Sequence, residues 1–245
     1  MNLHILGSSS HGNCYILEND TEALIIEAGV KASEVKKALR WRLQKVVGAV
    51  VTHRHNDHAG YVPEFVASGI RVLALREVFV SHGLEDKPFT KDIKHGKGYR
   101  LGGFKVRAVA VMHDVPCVGY IIQHADIGKL LFVTDTVTFG YRIENLNTVM
   151  IEANYADDII ADNISHGRMP EMMRPRLLNS HMELSQTKDV LSENDLSQVG
   201  NIILIHLSDG NSDETRFVRE VRELTGKPVY AAHKGMDIDI SLNPY

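Results

Sequence analysis

Three histidines and an aspartate fall within six consecutive positions, His53-Arg54-His55-Asn56-Asp57-His58, directly after the apolar run Lys45–Val51. Imidazole nitrogens and carboxylate oxygens are the usual ligands of zinc, and they suit manganese and iron as well. A loop at a strand end lets alternate side chains turn toward one point, and the sheet behind it fixes that point. The rival reading is a solvated loop that gathered histidines by chance. With 13 histidines in 245 residues, that density in one loop is improbable. Metal chemistry is therefore the first expectation.

The pattern His53-x-His55-x-Asp57-His58 after a strand resembles the signature of the metallo-β-lactamase superfamily. That resemblance implies a lone histidine after a later strand, then a strand-end aspartate, then a final strand-end histidine. His113 follows Val106–Met112, Asp135 lies in Phe132–Thr136, and His206 closes Ile203–Ile205, all in the implied order. Alone, Asp135 could merely terminate a strand and His206 could be a packed core histidine; their place in the ordered set favours ligands. Carried over from the family, His53, His55 and His113 hold one metal ion, Asp57, His58 and His206 hold a second, and Asp135 bridges them. The implied cofactor is thus a pair of divalent ions, of zinc, manganese or iron. Two such ions bring four positive charges, of which Asp57, Asp135 and a bridging hydroxide offset three. The site keeps a surplus for an anionic substrate.

Two further motifs narrow the branch. Met150–Tyr155 resembles the acidic motif of tRNase Z-like and other phosphodiesterase members, and Ser180-His181 resembles their histidine motif ahead of the last ligand. In that group the glutamate orients the histidine, which gives a proton to the leaving alkoxide. Glu152 and His181, with Asp57, are the candidate catalytic residues on that resemblance. A carboxylate beside an imidazole orients it and raises its pKa, which suits general-acid work. Met182-Glu183 follows where the family has Ser or Thr, so Glu183 is an alternative orienting carboxylate. Leu6–Tyr15, His113–Tyr120, His206–Asp213 and Lys234–Met236 resemble YycJ-like proteins, a group with the PhnP-like cyclic phosphodiesterases. The resemblance implies a phosphodiesterase or nuclease whose metal-bridging hydroxide attacks nucleic acid or a small cyclic phosphodiester. Arg168, Arg174 and Arg176, lying between Glu152 and His181, are candidates to bind the phosphates.

Rival functions share the scaffold. A thioester hydrolase of the glyoxalase II type would use the same seven ligands, but Glu152 and His181 argue against it. A lactamase or an oxygen-reducing di-iron relative fits the ligand pattern less well. A non-catalytic metal-binding accessory module should have lost some ligands, and none is missing. His11 and His233 are open between a packing role and a place at the rim of the site. His4, His82, His95, His124 and His166 lack partner motifs and read as surface or packing residues. Cys14 and Cys117 read as small buried residues.

The elements that must position these groups are legible as alternating or apolar runs. Strands are expected at Asn2–Leu6, Cys14–Glu18, Ala23–Glu27, Lys45–Val51, Val72–Leu75 and Lys105–Val111. Others follow at Val118–Gln123, Lys129–Val133, Thr148–Glu152, Asn201–His206 and Pro228–Ala232. Helices are expected from a Ser33 cap to Arg42, after Pro63, over Leu184–Leu191 and over Ser212–Leu224. The stretch from Asn154 to Ser180 has little periodicity. Periodicity leaves several α/β folds open; the resemblance selects a four-layer αββα sandwich, with residues 1–245 as one domain. No repeat or Gly/Pro/Ser-rich linker divides the chain.

Composition sets the outer limits. Lys and Arg number 27 against 31 Asp and Glu, a net charge of −4, so no global basic field draws nucleic acid or membrane. A local basic groove remains compatible with that balance. Two cysteines cannot build a disulfide framework or a four-thiolate zinc site. Met1–Leu17 lacks the pattern of a signal peptide and no apolar run approaches a bilayer span. The expected address is the cytoplasm, with no membrane partner.

Overall fold

The computed structural model describes residues 1–242. In chain order the strands of the first sheet are β1 (Asn2–Gly7), β2 (Cys14–Glu18), β3 (Ala23–Ile26), β4 (Val46–Val51), β5 (Val72–Ala74) and β6 (Thr90–Asp92). The second sheet holds β7 (Gly98–Leu101), β8 (Phe104–Ala110), β9 (Val118–His124), β10 (Gly128–Val133), β11 (Thr148–Glu152), β12 (Asn201–Ile205) and β13 (Val229–Ala231). The last strand, β14 (Asp237–Asp239), returns to pair with β1. Helices are α1 (Ala32–Ala38), α2 (Asn56–Ala59), α3 (Val62–Ala67), α4 (Arg76–Val80), α5 (Asp157–Ser165), α6 (Arg174–Ser180), α7 (Leu184–Glu193) and α8 (Glu214–Thr225).

Alternation explains how the sheets face each other. Along β8, Phe104, Val106 and Ala108 are buried while Lys105 and Arg107 are exposed, the period-2 pattern of a strand with one wet face. The inward residues meet across the sandwich: Leu3, Ile5, Tyr15 and Leu24 from one sheet pack with Phe104, Tyr120, Phe132 and Ile203 from the other. Strands β2, β3 and β11 are buried at every position because outer helices cover their second faces. On the first sheet Val35, Phe65 and Val78 close that outer layer; on the second Leu184, Val190, Phe217 and Val221 do so. Helix, sheet, sheet, helix is the expected four-layer order.

Strand order places the chemistry. The sheets run β14-β1-β2-β3-β4-β5-β6 and β13-β12-β11-β10-β9-β8-β7. Strands β3 to β6 are parallel, as are β10 to β13. Parallel neighbours end on the same sheet edge, so the loops leaving β4, β10, β11 and β12 can converge.

Several local expectations need correction. The α1 helix is capped at Lys31, not Ser33, and it ends at Ala38. Arg40 and Trp41, at φ 50° and 63°, turn left-handed and stop it short of Arg42. The aperiodic stretch after Asn154 holds α5 and α6. Of their residues only Ile160, Asn163 and Ser180 are buried, too few for an apolar stripe visible in sequence. The short β6, β7 and β14 and helix α4 fall outside the expected elements, since three to five residues give periodicity little to work on.

Candidate metal centre

The polar groups sit where parallel strands stop. Glu152 ends β11, Asp135 lies just beyond β10, and His206 just beyond β12. Beyond β4, Thr52 and His53 lead through His55 into α2, which carries Asp57 and His58. Asp135 and His206 take positive φ, 50° and 55°, as does Glu27 at 68° after β3. Each such non-glycine residue costs about 1–3 kcal/mol and persists where surrounding contacts over-determine it.

His53, His55 and His113 bring ligand nitrogens within 4.8 Å of one another. His113 Nε2 stands 3.3 Å from His55 Nδ1, and the His53 and His55 rings meet edge-on at 4.7 Å. The opposite nitrogens are held from behind. His113 Nδ1 donates to the Ser180 carbonyl at 2.9 Å, and His53 Nδ1 faces Thr52 Oγ1 at 2.9 Å. Burial pushes the His53 and His113 pKa values down, favouring the neutral ring that binds metal. His53 Nε2 is buried without a protein partner. Such an orphan costs about 1–3 kcal/mol, and a divalent ion seated among these imidazoles would satisfy it.

Asp57, His58 and His206 form a second group. Asp57 Oδ2 lies 3.0 Å from His58 Nε2 and 3.3 Å from His206 Nε2, and Asp135 Oδ2 lies 2.9 Å from His58 Nε2. Burial pushes both carboxyls up, and His206 and His58 more than reverse it, leaving both low. Burial likewise opposes charge on the imidazoles. Asp135 overrides it, raising His58 and holding His206 at about 10. Protons and divalent ions compete for these atoms. The donor set therefore fits metal.

Residues outside the sequence-derived set support the ligands. Glu27 is fully buried, with Oε1 3.4 Å from His58 Nδ1 and Oε2 accepting from Thr52 N at 3.2 Å. Asn13 Nδ2 donates to Asp57 Oδ2 at 3.2 Å, and Asn154 Nδ2 to the His206 carbonyl at 2.8 Å. Partners of this kind set ligand tautomer and orientation. A carboxylate ending the otherwise apolar run Ala23–Glu27 was the available signal for Glu27.

His181 lies at the end of α6 with Nδ1 2.7 Å from Glu152 Oε1. Glu183, the alternative carboxylate, instead caps α7 through Ser185 N. Burial works against charge on His181, and Glu152 outweighs it, so its pKa is raised. A cavity of about 510 Å³ opens beside it, lined by His181, His206, Asn154, Asn163, Arg168 and Met169 among others. Arg168 reaches that cavity, with its guanidinium on Asn163 and Asp162. Arg174 instead pairs with Asp157 at 3.6 Å, and neither it nor Arg176 lines the cavity. His11 and His233 line a second cleft of about 610 Å³ that meets the first at Leu207 and Ser208. Neither belongs to a ligand group among the described residues. Cys14 and Cys117 are free and buried, and burial pushes both thiols up. Among the described residues no helix is long and apolar enough to cross a membrane.

Two sheets with outer helices, and a histidine–aspartate cluster where their parallel strands end, define a metallo-hydrolase fold. Residues 9–157 match the metallo-beta-lactamase superfamily, and the chain belongs to it. It is 27% identical over 267 aligned positions to the exodeoxyribonuclease YycJ of Bacillus anthracis, covering 98% of this chain and 96% of that one. Among solved structures it is similar to the metallo-beta-lactamase fold protein YhfI of Bacillus subtilis. That match has a TM-score of 0.73 at 17% identity, over 97% of this chain and 99% of that one. It is similar also to a diphosphatase of the PhnP family, with a TM-score of 0.66 at 16% identity over 97% of both chains.

Proposed function

We propose that the chain is a binuclear metal-dependent phosphodiesterase acting on nucleic acid, with residues 1–245 working as one domain. The observation that carries this is the Glu152–His181 pair, set beside the ligand cluster and opening on a cavity. Similarity to an exodeoxyribonuclease over nearly the whole length supports the substrate class. Ligand atoms from both sheets support a single working unit, since neither sheet alone supplies the set.

His53, His55 and His113 would hold one ion, and Asp57, His58 and His206 the other, with Asp135 between them. Zinc, manganese and iron all suit this nitrogen and oxygen set. When bound, such ions lower the pKa of water toward neutrality and offset charge on a phosphoryl oxygen. Asp57 and Asp135 offset only part of the ions' charge, which favours an anionic substrate. Glu152 holds the proton of His181 Nδ1, leaving Nε2 to give its proton to the leaving oxygen. Arg168 lines the pocket on that side and can face a phosphate as a planar donor. Arg174 and Arg176 are outside that lining and would act on a phosphate only as charges on its approach.

Metal-reconstituted protein should be compared on bis-nitrophenyl phosphate, a glutathione thioester, and labelled single- and double-stranded DNA. Hydrolysis of the phosphodiesters and not the thioester is expected. Efficient cleavage of the thioester with every phosphodiester untouched would overturn the reading.

A further inference from the structure

Away from the metal centre, no helix among the described residues is seen over the outer face of the second sheet at its β7 edge, where Lys105 and Arg107 are exposed. A groove of about 720 Å³ lies there, lined by Arg100, Lys105, Arg107, Lys129 and Arg142 with one carboxylate, Glu144. A smaller hollow of about 340 Å³ shares Tyr99 and Arg100 with it and adds Arg71 and Lys91, with no carboxylate. The two make one continuous basic track on a protein whose net charge is −4. Its cations have almost no carboxylate partners, although Arg100 and Lys129 donate to the Gly102 and Glu144 carbonyls. Among the described residues Arg71, Lys91, Arg100, Lys105, Arg107 and Lys129 join no ion pair, and Arg142 only reaches Glu193 at 4.0 Å.

Register sharpens the point. Arg100 lies directly opposite Lys105, Lys105 opposite Gln123, and Gln123 opposite Lys129. One row across four strands thus carries three cations and no acid. Neighbouring strands are about 4.8 Å apart, and like charges directly opposite destabilise a sheet. Folding alone gains nothing from that row, whereas a bound polyanion would relieve it. Aromatic surface accompanies the charge: Phe89, 49% exposed, lines the hollow, and Tyr99 stands where hollow and groove meet. A basic groove with aromatic platforms is how proteins hold single-stranded nucleic acid without reading its sequence.

We propose that this track is an exosite for the backbone of a single-stranded nucleic acid whose end is processed at the metal centre. The proposal rests on the phosphodiesterase reading and deepens it, because a small cyclic diester has no chain to reach so far. Lys105 and Lys129 stand near the starts of β8 and β10, whereas His113 and Asp135 lie beyond their far ends. Six residue steps lead from Arg107 to His113, about 20 Å of extended chain. A strand rising at least about 3.4 Å per nucleotide covers that in roughly six nucleotides or fewer.

The test uses the metal-loaded enzyme and a labelled, cleavage-resistant phosphorothioate 20-mer. Affinity is read across a salt series for wild type, Lys105→Glu/Arg107→Glu and Phe89→Ala. Bis-nitrophenyl phosphate turnover and thermal melting are measured on the same proteins. The double reversal should weaken 20-mer binding about tenfold or more at low salt and flatten the log K against log salt slope by about 1.4. Phe89→Ala should weaken binding and leave the slope alone. Dinucleotide binding, bis-nitrophenyl phosphate turnover and melting should stay as in wild type. Absence of 20-mer binding by wild type, or a slope unmoved by the reversal, overturns the exosite. So does binding to phosphatidylserine vesicles in place of the 20-mer. If the slope falls as expected but no phosphodiester is ever cut, the exosite stands and the proposed reaction fails.

Discussion

Glu152 Oε1 stands 2.7 Å from His181 Nδ1 and 3.2 Å from His206 Nδ1. One fully buried carboxylate oxygen therefore contacts two imidazoles, both of which line the cavity. The other oxygen accepts from Thr136 N at 3.1 Å and Met182 N at 3.2 Å, so the carboxylate cannot swing away from either ring. This geometry separates positioning from proton transfer. Glu152 fixes both rings, and in the proposed function His181 is the one that would give its proton to the leaving group.

That division predicts a dependence on the leaving group. His181→Ala should lower turnover of a phosphodiester with an alkoxide leaving group by roughly 10²–10⁴-fold while metal content stays at the wild-type level. The deficit should shrink for a nitrophenolate ester, which departs without a proton. Equal losses on both substrates would make His181 a positioning residue, and loss of metal would make it a ligand. Either result would falsify its role as the general acid.

Metal content is the second expectation. Elemental analysis should find two transition-metal ions per chain. In Asp135→Ala, which removes the carboxylate beside His58, that number should fall and the remaining ion should bind more weakly. His166→Ala is the control: that ring is exposed, and its polar contacts among the described residues are with Asp162 and Ser165. A protein that neither carries nor takes up a transition metal would end the hydrolase reading.

Close backbone approach gives a third test. A Cβ on Gly29 would lie 1.8 Å from the Asp57 carbonyl oxygen and 2.5 Å from Asn13 N. Asn13 N donates to that same carbonyl at 2.7 Å, so relief requires moving the loop that carries Asp57. Gly29→Ala should destabilise the fold by about 1–3 kcal/mol, as overpacking does, and weaken metal uptake. Gly140→Ala, where a Cβ meets nothing within 4 Å, should do neither. Equal melting temperatures for the two variants would count against this role for Gly29.

What was legible in the sequence follows from where information is local. The ligand signature, the longer strands and the order of ligands along the chain are short-range patterns, and they led to the observed layers. Glu27 was not legible as a partner of His58, because the contact joins residues 31 apart on different elements. Asn13 was visible only within the Leu6–Tyr15 run that resembles the YycJ-like proteins. Arg168, Arg174 and Arg176 look alike in sequence, yet only Arg168 lines the cavity; it lies in the bend after α5, whereas the other two lie on α6, and sequence spacing does not show which segment faces the site. The Arg100–Lys105–Lys129 row likewise exists only once strand register is fixed.

The same Glu152–His181 contact sets the sign of a pH effect. Burial alone would lower the His181 pKa, and Glu152 overrides it to raise it. A general acid works only while protonated, so kcat on an alkoxide-leaving substrate should fall as pH rises through the His181 pKa. Glu152→Gln keeps a side chain that can still accept from Thr136 N and Met182 N, but removes the charge that raises the ring. Burial then acts unopposed by that carboxylate, and the alkaline limb should move to lower pH. On the nitrophenyl ester the limb should be weak in both proteins, because its leaving group needs no proton. A Glu152→Gln profile that overlays wild type on the alkoxide substrate would mean that the carboxylate does not tune the acid.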